Sequence, residues 1–559
     1  MLATEVTVRG GLVVTDETKR ASWGVIAVLG AAQFIMILDS TVMNVSISTV
    51  VADLHTTILG LQTAITVYTL VMASFMLLGG KLASRLGAKR AFAIGLLIYG
   101  AGSLTTSLAP NLAVLLLGWS VVEGLGAVLV IPSVVALTAA TYTGKQRALA
   151  FGILGGVAGA SAAAGPLIGG WVTAAYSWRW VFAGETVVVL VLMLFMGLIP
   201  ATKGLRAKLD VPGAVLSAAG LGLAVFGVLR SSQWGWIAPS DSVPVVNGVP
   251  LTLLGLSPTF WLIIAGAFLL VLFARREEAV KARGGEPLLD LALLSIGPLR
   301  AGLIVLACQQ FIIMATFFVI PLYLQTVLGL NSLQTGLTVL PLSAALFVFA
   351  LGGSALTSRF GPRRIVEVGL TAMLIGEVLL LATTSATLDA PGFGLALALI
   401  GAGLGLLASQ VGNVIMSSVP AERGGEAGGL QGTAQNLGAS LGTALVGSIL
   451  IAALLGNFQS TVMADTTLPS TVIQSVKQAA NRNANFVSTQ DVKSACEKAG
   501  LPTAQTNAIV ANYATAQISA LKTAFAAIAL FVLLALVYVR RLPVGAEARS
   551  KGKAVAGSA

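Results

Sequence analysis

Residues 84–90 read Ser-Arg-Leu-Gly-Ala-Lys-Arg, and residues 358–364 read Ser-Arg-Phe-Gly-Pro-Arg-Arg. The first copy lies between the second and third long apolar runs of the chain, and the second copy lies between the tenth and eleventh. A weaker pair of similar segments follows in register, at 147–152 and 423–428. Parallel repeats of this kind are typical of carriers whose two halves rock about a central site. The repeat therefore predicts two six-span halves, spans 1–6 and 9–14, with spans 7 and 8 inserted between them.

The composition indicates a polytopic helical membrane protein. Hydrophobic residues make up 56% of the 559 residues and charged residues only 10%, and the mean hydropathy is +0.92. Soluble domains carry roughly 25% charged residues, and about 20 apolar residues in a helix cross a bilayer. The predicted spans are residues 23–45, 57–79, 90–109, 112–138, 148–171, 179–199, 211–229, 258–274, 302–325, 334–356, 365–384, 391–418, 428–455 and 518–539.

The distribution of charge predicts the orientation. Most of the 33 Lys and Arg residues fall in segments on one side of the predicted spans. Under the positive-inside rule that side is cytoplasmic. We therefore expect a multi-pass protein of the plasma (inner) membrane with both termini in the cytoplasm. The rule also explains the net charge of +11 without a nucleic-acid partner.

The spans divide the chain into five predicted regions. Two long connections, 230–257 and 456–517, fall on the outer side, and we expect them to be solvated with short surface helices. The predicted regions are a cytoplasmic tail (1–22), an N-terminal six-helix domain (23–199), a linker with inserted helices 7 and 8 (200–298), a C-terminal six-helix domain that includes the outer loop 456–517 (299–541), and a second cytoplasmic tail (542–559).

Four carboxylates interrupt the apolar spans: Asp39, Glu123, Glu185 and Glu377. Ionisable groups in hydrocarbon are costly and usually mark an ion or substrate path. We interpret them as proton-coupling residues. The alternative is a structural role, with Asp39 held by a nearby polar side chain and Glu185 paired with Arg179.

Polar and aromatic side chains also recur inside the spans. Helix-to-helix hydrogen bonds could explain any one of them. Taken together, they predict a wet central cavity that accepts amphiphilic molecules. The candidate cavity residues are Asn44, Tyr68, Gln309, Gln310, Phe311, Gln325, Gln410, Asn413, Gln431 and Gln435.

Three motifs together resemble the fourteen-span drug–proton antiporter branch of the major facilitator superfamily. Residues 38–45 read Leu-Asp-Ser-Thr-Val-Met-Asn-Val, residues 80–90 contain the basic loop, and residues 165–170 read Gly-Pro-Leu-Ile-Gly-Gly. The resemblance covers nearly the whole chain and implies a major-facilitator-type fold that is all-α. The antiporter motif it implies consists of Gly165, Pro166, Gly169 and Gly170.

The resemblance also implies that the basic loop latches the two halves together on the inner side. Ser84 stands where the family has an aspartate, and this departure leaves open how the gate is held. The gating residues implied by the two copies are Gly80, Arg85, Gly87, Lys89, Arg90, Arg359, Gly361 and Arg363.

The predicted function is multidrug efflux, in which amphiphilic or cationic drugs leave in exchange for protons. We expect a monomer that contacts membrane lipids and needs no cofactor or metal beyond the proton gradient. An exporter of lipids or lipid precursors on the same fold is the alternative. A membrane redox enzyme or a scaffold is disfavoured, because one histidine and two cysteines provide few groups for catalysis or metal binding.

Overall fold

The computed structural model describes residues 22–542, apart from 57, 205–208, 241–242, 247–248, 331, 358, 421–422 and 483–485. Nearly all of both predicted tails lies outside these residues. Among the described residues, long helices dominate, as the composition predicts.

The described residues of the first part of the chain form eight helices. One of the predicted spans combines α5, a π-helical segment at Leu116–Glu123 and α6, and a 3-10 turn at Phe195–Leu198 follows α8. The helices are α1 (Trp23–Val45), α2 (Ile47–Asp53), α3 (Ile58–Leu86), α4 (Ala88–Ser107), α5 (Leu112–Leu115), α6 (Gly124–Thr141), α7 (Gly144–Ala175) and α8 (Arg179–Leu194).

The inserted pair and the second half complete the chain. A hairpin of β1 (Val245–Val246) and β2 (Val249–Pro250) lies between α9 and α10. Irregular helical segments cover Leu291–Ser295, Tyr323–Val327 and Val539–Arg541. The helices are α9 (Val211–Trp234), α10 (Pro258–Ala282), α11 (Gly297–Leu322), α12 (Ser332–Leu356), α13 (Pro362–Thr383), α14 (Ala390–Ser417), α15 (Gly424–Ala464), α16 (Ser470–Arg482), α17 (Thr489–Lys498) and α18 (Thr503–Tyr538).

A helix lies over each predicted span, and eleven helices in the described residues are long and apolar enough to cross a membrane. The number fourteen stays a prediction. The loop 230–257 differs from expectation because it contains a hairpin instead of short helices. The loop 456–517 contains the short helices α16 and α17, as expected, and the ends of α15 and α18 extend into it.

Helices pack within each predicted half and across the seam between the halves. In the first half, α1 packs on α7, and α4 packs on α6 and α8. In the second half, α12 and α13 pack on α14, while α11 and α18 pack on α15. Across the seam, α3 contacts α15, and α7 contacts α12 and α14. The inserted α9 packs on α10 and covers the α3–α15 seam, although the predicted domain boundaries themselves stay predictions.

Candidate proton-coupling and substrate site

Three of the four predicted carboxylates come together in the first half. Asp39 lies on α1, Glu123 ends the π-helical segment, and Glu185 lies on α8. Their exposed fractions are 0%, 0% and 2%. One carboxyl oxygen from each lies within 4.8 Å of the other two. We call these three residues the carboxylate cluster.

The indole of Trp119 holds Asp39 in place. Trp119 Nε1 lies 2.8 Å from both Oδ1 and Oδ2 of Asp39, so both oxygens accept from one N–H group. This is the arrangement expected of an ionised carboxylate, which only accepts hydrogen bonds. The indole also stacks on the ring of Tyr68, with centroids 5.1 Å apart and planes 8° apart. Trp119 therefore links Asp39 on α1 to α3.

Ser103 and Tyr99 on α4 hold the two glutamates. Ser103 Oγ lies 3.0 Å from Glu123 Oε2 and 3.2 Å from Glu185 Oε2. The Tyr99 hydroxyl donates to Glu185 Oε2 at 3.3 Å. In the described part of the chain, the Oε1 atoms of both glutamates are buried without a hydrogen-bond partner. These contacts join α4, the π-helical segment and α8 around the cluster.

Gly102 lets α4 approach the π-helical segment. A Cβ atom at this position would lie 2.5 Å from the backbone nitrogen of Glu123, closer than carbon and nitrogen can pack. Small residues allow helices in membranes to approach this closely. π-Helical segments are often found at functional sites, and this one carries both Trp119 and Glu123.

Glu377 is placed apart from the cluster, on α13 in the second half. It is fully buried, and its Oε1 accepts a 3.0 Å hydrogen bond from Thr316 Oγ1 on α11. Its Oε2 has no hydrogen-bond partner among the described residues. A proton-coupling role for Glu377 stays a prediction.

The suggested pairing of Glu185 with Arg179 is wrong. Arg179 forms an ion pair with Asp53, donates a 2.8 Å hydrogen bond to the carbonyl oxygen of Ala109, and lies 4.6 Å above the ring of Trp178. Arg179 begins α8, so its side chain contacts neighbouring helix ends, whereas Glu185 lies nearly two turns further along and faces α4.

A buried ion pair joins the halves at the end of the bundle that carries the first basic loop. Lys81 Nζ on α3 lies 3.2 Å from Glu426 Oε1 on α15, and the side chains are only 6% and 7% exposed. The backbones are close beside it, because a Cβ atom on Gly80 would lie 2.5 Å from the carbonyl oxygen of Gly425. The buried Ser84 hydroxyl has no partner among the described residues. Lys81 thus supplies a charged contact between the halves. It lies one helical turn before Ser84, the position at which the family has an aspartate.

The remaining residues of the first gating loop contact neighbouring helix ends or face outward. Gly87 has φ = +86°, a conformation that favours glycine, and it forms the turn before α4. Lys89 Nζ donates to the carbonyl oxygen of Ile199 at 2.6 Å, where the 3-10 turn after α8 ends. Arg85 and Arg90 are exposed.

The second copy of the loop is built differently. Gly361 has φ = −65°, so it does not use the special conformation of Gly87. Arg363 pairs with Glu367 on its own helix at 2.8 Å, and Arg359 is exposed beside the ring of Phe360. Among the described residues, the ion pair that joins the two halves thus lies beside the first copy.

The antiporter motif lies on α7, which is continuous from Gly144 to Ala175. Gly165 and Gly169 are buried and Gly170 is half-buried, while the side chain of Pro166 lies outside the described residues. A Cβ atom on Gly169 would lie 2.6 Å from Val42 Cγ2 on α1. The motif therefore packs against α1 one turn from Asp39.

Comparison with known proteins identifies the family. Residues 29–443 match the family model of the Major Facilitator Superfamily. The chain belongs to this superfamily. The tetracenomycin C resistance and export protein of Streptomyces glaucescens is 30% identical over 410 residues, covering 72% of this chain and 71% of that protein. The probable actinorhodin transporter of Streptomyces coelicolor is 31% identical over 422 residues, covering 72% of this chain and 68% of that protein.

A solved structure supports the fold. The human organic anion transporter MFSD10 aligns with a TM-score of 0.56 and 11% identity, covering 92% of this chain and 99% of that one. This similarity concerns the fold alone. With the sequence relatives, it confirms that the chain is a membrane transporter of the Major Facilitator Superfamily and that it resembles proteins named for drug resistance and export.

The predicted cavity residues of this superfamily member fall into different environments. Gln410 is fully buried and donates to the carbonyl oxygen of Gly353 at 3.0 Å, within the second half. The ring of Phe311 stacks on Phe531 with centroids 3.9 Å apart. Asn413 accepts a 3.2 Å hydrogen bond from Arg147 across the seam.

The remaining predicted cavity residues have fewer polar contacts among the described residues. Tyr68 is buried against Trp119, whereas Gln309 and Gln431 are buried with Oε1 atoms that lack a partner among the described residues. Gln310 and Gln435 are half-buried, Gln325 is exposed, and the side chain of Asn44 lies outside the described residues. Their role in a substrate cavity stays a prediction.

Several functional candidates were missed from the sequence. Tyr99 and Ser103 are four residues apart on one helix face, and that spacing of polar groups in an apolar span is the signal that could have found them. Trp119 precedes Glu123 by one turn, but its contact with Asp39 requires the fold. Lys81 and Glu426 were likewise not recognised as partners.

Asp290 links three elements near the buried ion pair. It accepts hydrogen bonds from Lys281 on α10 and from Arg423 before α15, both at 2.8 Å. Burial acts to raise the pKa of the Asp290 carboxyl, but the bonds from Lys281 and Arg423 outweigh it, and the pKa is lowered below its usual value. The linker between α10 and α11 is therefore fixed to the second half by charge.

Proposed function

We propose that this transporter is a secondary active exporter that moves amphiphilic or cationic small molecules outward in exchange for protons. The proposal includes fourteen spans, both termini in the cytoplasm, a monomer in contact with membrane lipids, and the proton gradient as the energy source. The names of the relatives, which mention drug resistance and export, support the class of substrate.

The observation that carries the proposal is the carboxylate cluster. Three acids lie within 4.8 Å of one another, and none of the ion pairs between described residues includes them. Like charges at this distance in a medium of low polarity repel strongly, so the cluster has to bind protons. An intramembrane group that gains and loses a proton is what a proton-driven carrier requires.

The geometry supports a mechanism in four steps. A proton from the outer side neutralises Asp39, and the bond from Trp119 Nε1 weakens because its acceptor has lost its charge. Trp119 and Tyr68 can then shift together between α1 and α3. A cationic substrate loses the attraction of the carboxylate and leaves outward. Release of the proton toward the cytoplasm restores the bond.

Because Asp39 is fully buried, the carboxylate acts on the substrate without direct contact in this conformation. Two effects connect them. The electric field of the charge is weakly screened in the protein interior, and the stacked pair of Trp119 and Tyr68 changes position with the protonation state.

The first prediction tests this role with Asp39→Asn, which keeps the shape of the side chain but cannot ionise. We expect normal amounts of protein in the membrane and loss of dye and quaternary-ammonium efflux driven by a pH gradient. Efflux is measured in a host that lacks other pumps, with and without a protonophore.

Glu367→Gln is the matched control, because Glu367 is a carboxylate that pairs with Arg363 near the helix end, away from the cluster. It should export like the unmodified protein. Undiminished proton-driven export by Asp39→Asn would contradict the proposal, and transport of lipids in place of dyes would favour the lipid exporter.

A further inference from the structure

The geometry assigns bound protons to Glu123 and Glu185, which share them through Ser103, and leaves Asp39 as the one group of the cluster that exchanges a proton. We infer that the carboxylate cluster exchanges one proton for each substrate molecule. This inference rests on the proposed function and specifies its stoichiometry.

The first argument is a count of hydrogen atoms. Four contacts between oxygen-bearing side chains meet at the glutamates: Ser103 with each of them, Tyr99 with Glu185, and Asp39 with Glu123. A serine hydroxyl and a tyrosine hydroxyl each have one hydrogen to donate. Two hydrogens cannot fill four contacts between groups that only accept. The remaining contacts therefore need protons that the carboxyl groups themselves carry.

The second argument is the surroundings of the pair. The charged and titratable groups that act on it from the packed helices are Asp39 on α1, Tyr68 on α3 and Tyr99 on α4. None of these supplies a positive charge. The Oε1 atoms of Glu123 and Glu185 are buried without a partner among the described residues, a poor environment for an ionised group.

The third argument distinguishes the charge state of Asp39 from that of the pair, although Asp39 also shares a hydrogen bond with Glu123. Trp119 donates to both oxygens of Asp39, which suits the charged form. The glutamates share hydroxyl groups, which can also accept a bond from a protonated acid. With Asp39 charged, a second charge within 4.8 Å would be uncompensated. The cluster thus alternates between one negative charge and none.

The charge balance gives a direct consequence. One proton enters and binds to Asp39, and one monovalent cation leaves, so no net charge crosses the membrane. A pH gradient then drives export of a monovalent cation, and a membrane potential alone does not. Exchange of two protons would carry one net positive charge inward and would respond to the potential.

The experiment uses the full-length protein in proteoliposomes with tetraphenylphosphonium as the substrate, and each rate is taken above that of protein-free liposomes, because this cation also crosses a bilayer without a carrier. Valinomycin and potassium set the potential, and buffers set the pH gradient independently. We expect transport under the pH gradient and less than about a tenth of that rate under the potential alone. Comparable rates under the potential would overturn the inference, whereas no transport under either gradient would contradict the proposed function.

Ser103 is a positioning residue, and its variants test the sharing of protons. Ser103→Ala removes the hydroxyl that both glutamates contact, and we expect the pH profile of transport to move. Ser103→Thr keeps a hydroxyl and should restore the profile. An unchanged profile in Ser103→Ala would overturn the role of Ser103. If either variant fails to fold, judged by gel filtration, the charge measurement on the unmodified protein still decides the stoichiometry.

Glu185→Gln gives an independent test because glutamine has the shape of a protonated glutamic acid. Whatever the rate of transport that remains, we expect it to stay insensitive to the membrane potential. A change in the number of protons exchanged would show that Glu185 itself releases a proton during the cycle, and the inference would be wrong.

Discussion

Trp119 and Asp39 are 80 positions apart in the chain, yet their side chains make the bond that defines the site. The acceptor of this buried bond is a carboxylate, and hydrogen bonds to charged groups contribute about 1.5–3 kcal/mol to stability. The ring of Trp119 also fills the space beside Tyr68. The contribution of the N–H group can therefore be separated from that of the ring.

The second prediction is that Trp119→Phe reduces proton-driven export roughly tenfold or more, since phenylalanine keeps an aromatic ring but removes the donor. Initial rates of dye efflux at equal protein levels are the measurement. Trp178→Phe is the control, because Trp178 makes a similar 2.9 Å bond to Asp53 outside the cluster. Equal losses in both variants would show that the effect is merely structural.

The sequence could predict which acidic residues belong to the site, but not how they are arranged. Asp39, Glu123 and Glu185 were identifiable because charge is rare in apolar spans. Their convergence was not, since it depends on the relative rotation of three helices. Arg179 was assigned to Glu185 on proximity in the chain, but the beginning of α8 directs it to Asp53.

At the scale of single elements, the contact of α4 with the π-helical segment positions the cluster. Ser103 reaches Glu123 because Gly102 leaves no side chain between the two backbones. A larger residue at position 102 would force α4 and the π-helical segment apart.

The third prediction is that Gly102→Ala destabilises the protein by roughly 1–3 kcal/mol, the usual cost of overpacking, and lowers export. Thermal unfolding in detergent and efflux are the measurements. Gly184→Ala is the control, because a Cβ atom there meets no atom within 4 Å. Its effect should stay within about 1 kcal/mol. Unaltered stability in Gly102→Ala would show that the helices can separate at little cost.

The ends of the helices were predictable where an apolar run changes sharply to a polar segment, and were less predictable elsewhere. A helix lies over each predicted span because long apolar runs have to satisfy their backbone hydrogen bonds internally. The π-helical segment at Leu116–Glu123 carries no sequence signal that we recognised. The hairpin at 245–250 was missed because its strands are only two residues long.

At the scale of the whole molecule, the buried pair of Lys81 and Glu426 joins the two halves at one end of the seam between them. Removing one partner of a buried ion pair leaves an uncompensated charge and typically costs about 3–5 kcal/mol. The pair therefore favours the conformation in which this end is closed.

The fourth prediction is that Lys81→Met lowers the thermal stability of the protein and reduces export, and that adding Glu426→Gln recovers part of the stability. A double-mutant cycle on unfolding temperatures measures the coupling between the two positions. The half-buried pair of Arg363 and Glu367, four residues apart on one helix, serves as the control and should couple by at most about 0.5 kcal/mol. An effect of Lys81→Met no larger than that would rule out a latch.

The fifth prediction concerns Asp290, which fixes the linker to α10 and to the start of α15. Its pKa is lowered in the folded protein, so its stabilising effect is present above the ordinary carboxyl pKa of about 4 and is lost as the pH falls through the lowered pKa. Asp290→Asn should lower stability at neutral pH by about 1 kcal/mol, since both basic partners are partly exposed.

Thermal unfolding between pH 3 and pH 7 checks this sign. The difference between Asp290→Asn and the unmodified protein should shrink below about pH 4. Asp389→Asn is a control at an exposed helix start. A difference that grows on acidification would contradict the assignment.

The continuity of α7 has a mechanical consequence. Its 32 residues form a rod roughly 48 Å long. About a third of the way along it, Gly155 lies against Ala408 of the other half, and roughly 21 Å further on Gly169 lies against Val42, one turn from Asp39. A rigid helix can transmit a movement along its length without rearrangement of the side chains in between. Because α7 contacts both the second half and α1, we expect a tilt of one half to move α7 against α1 as a rigid body, which would connect movement at the seam with the surroundings of Asp39.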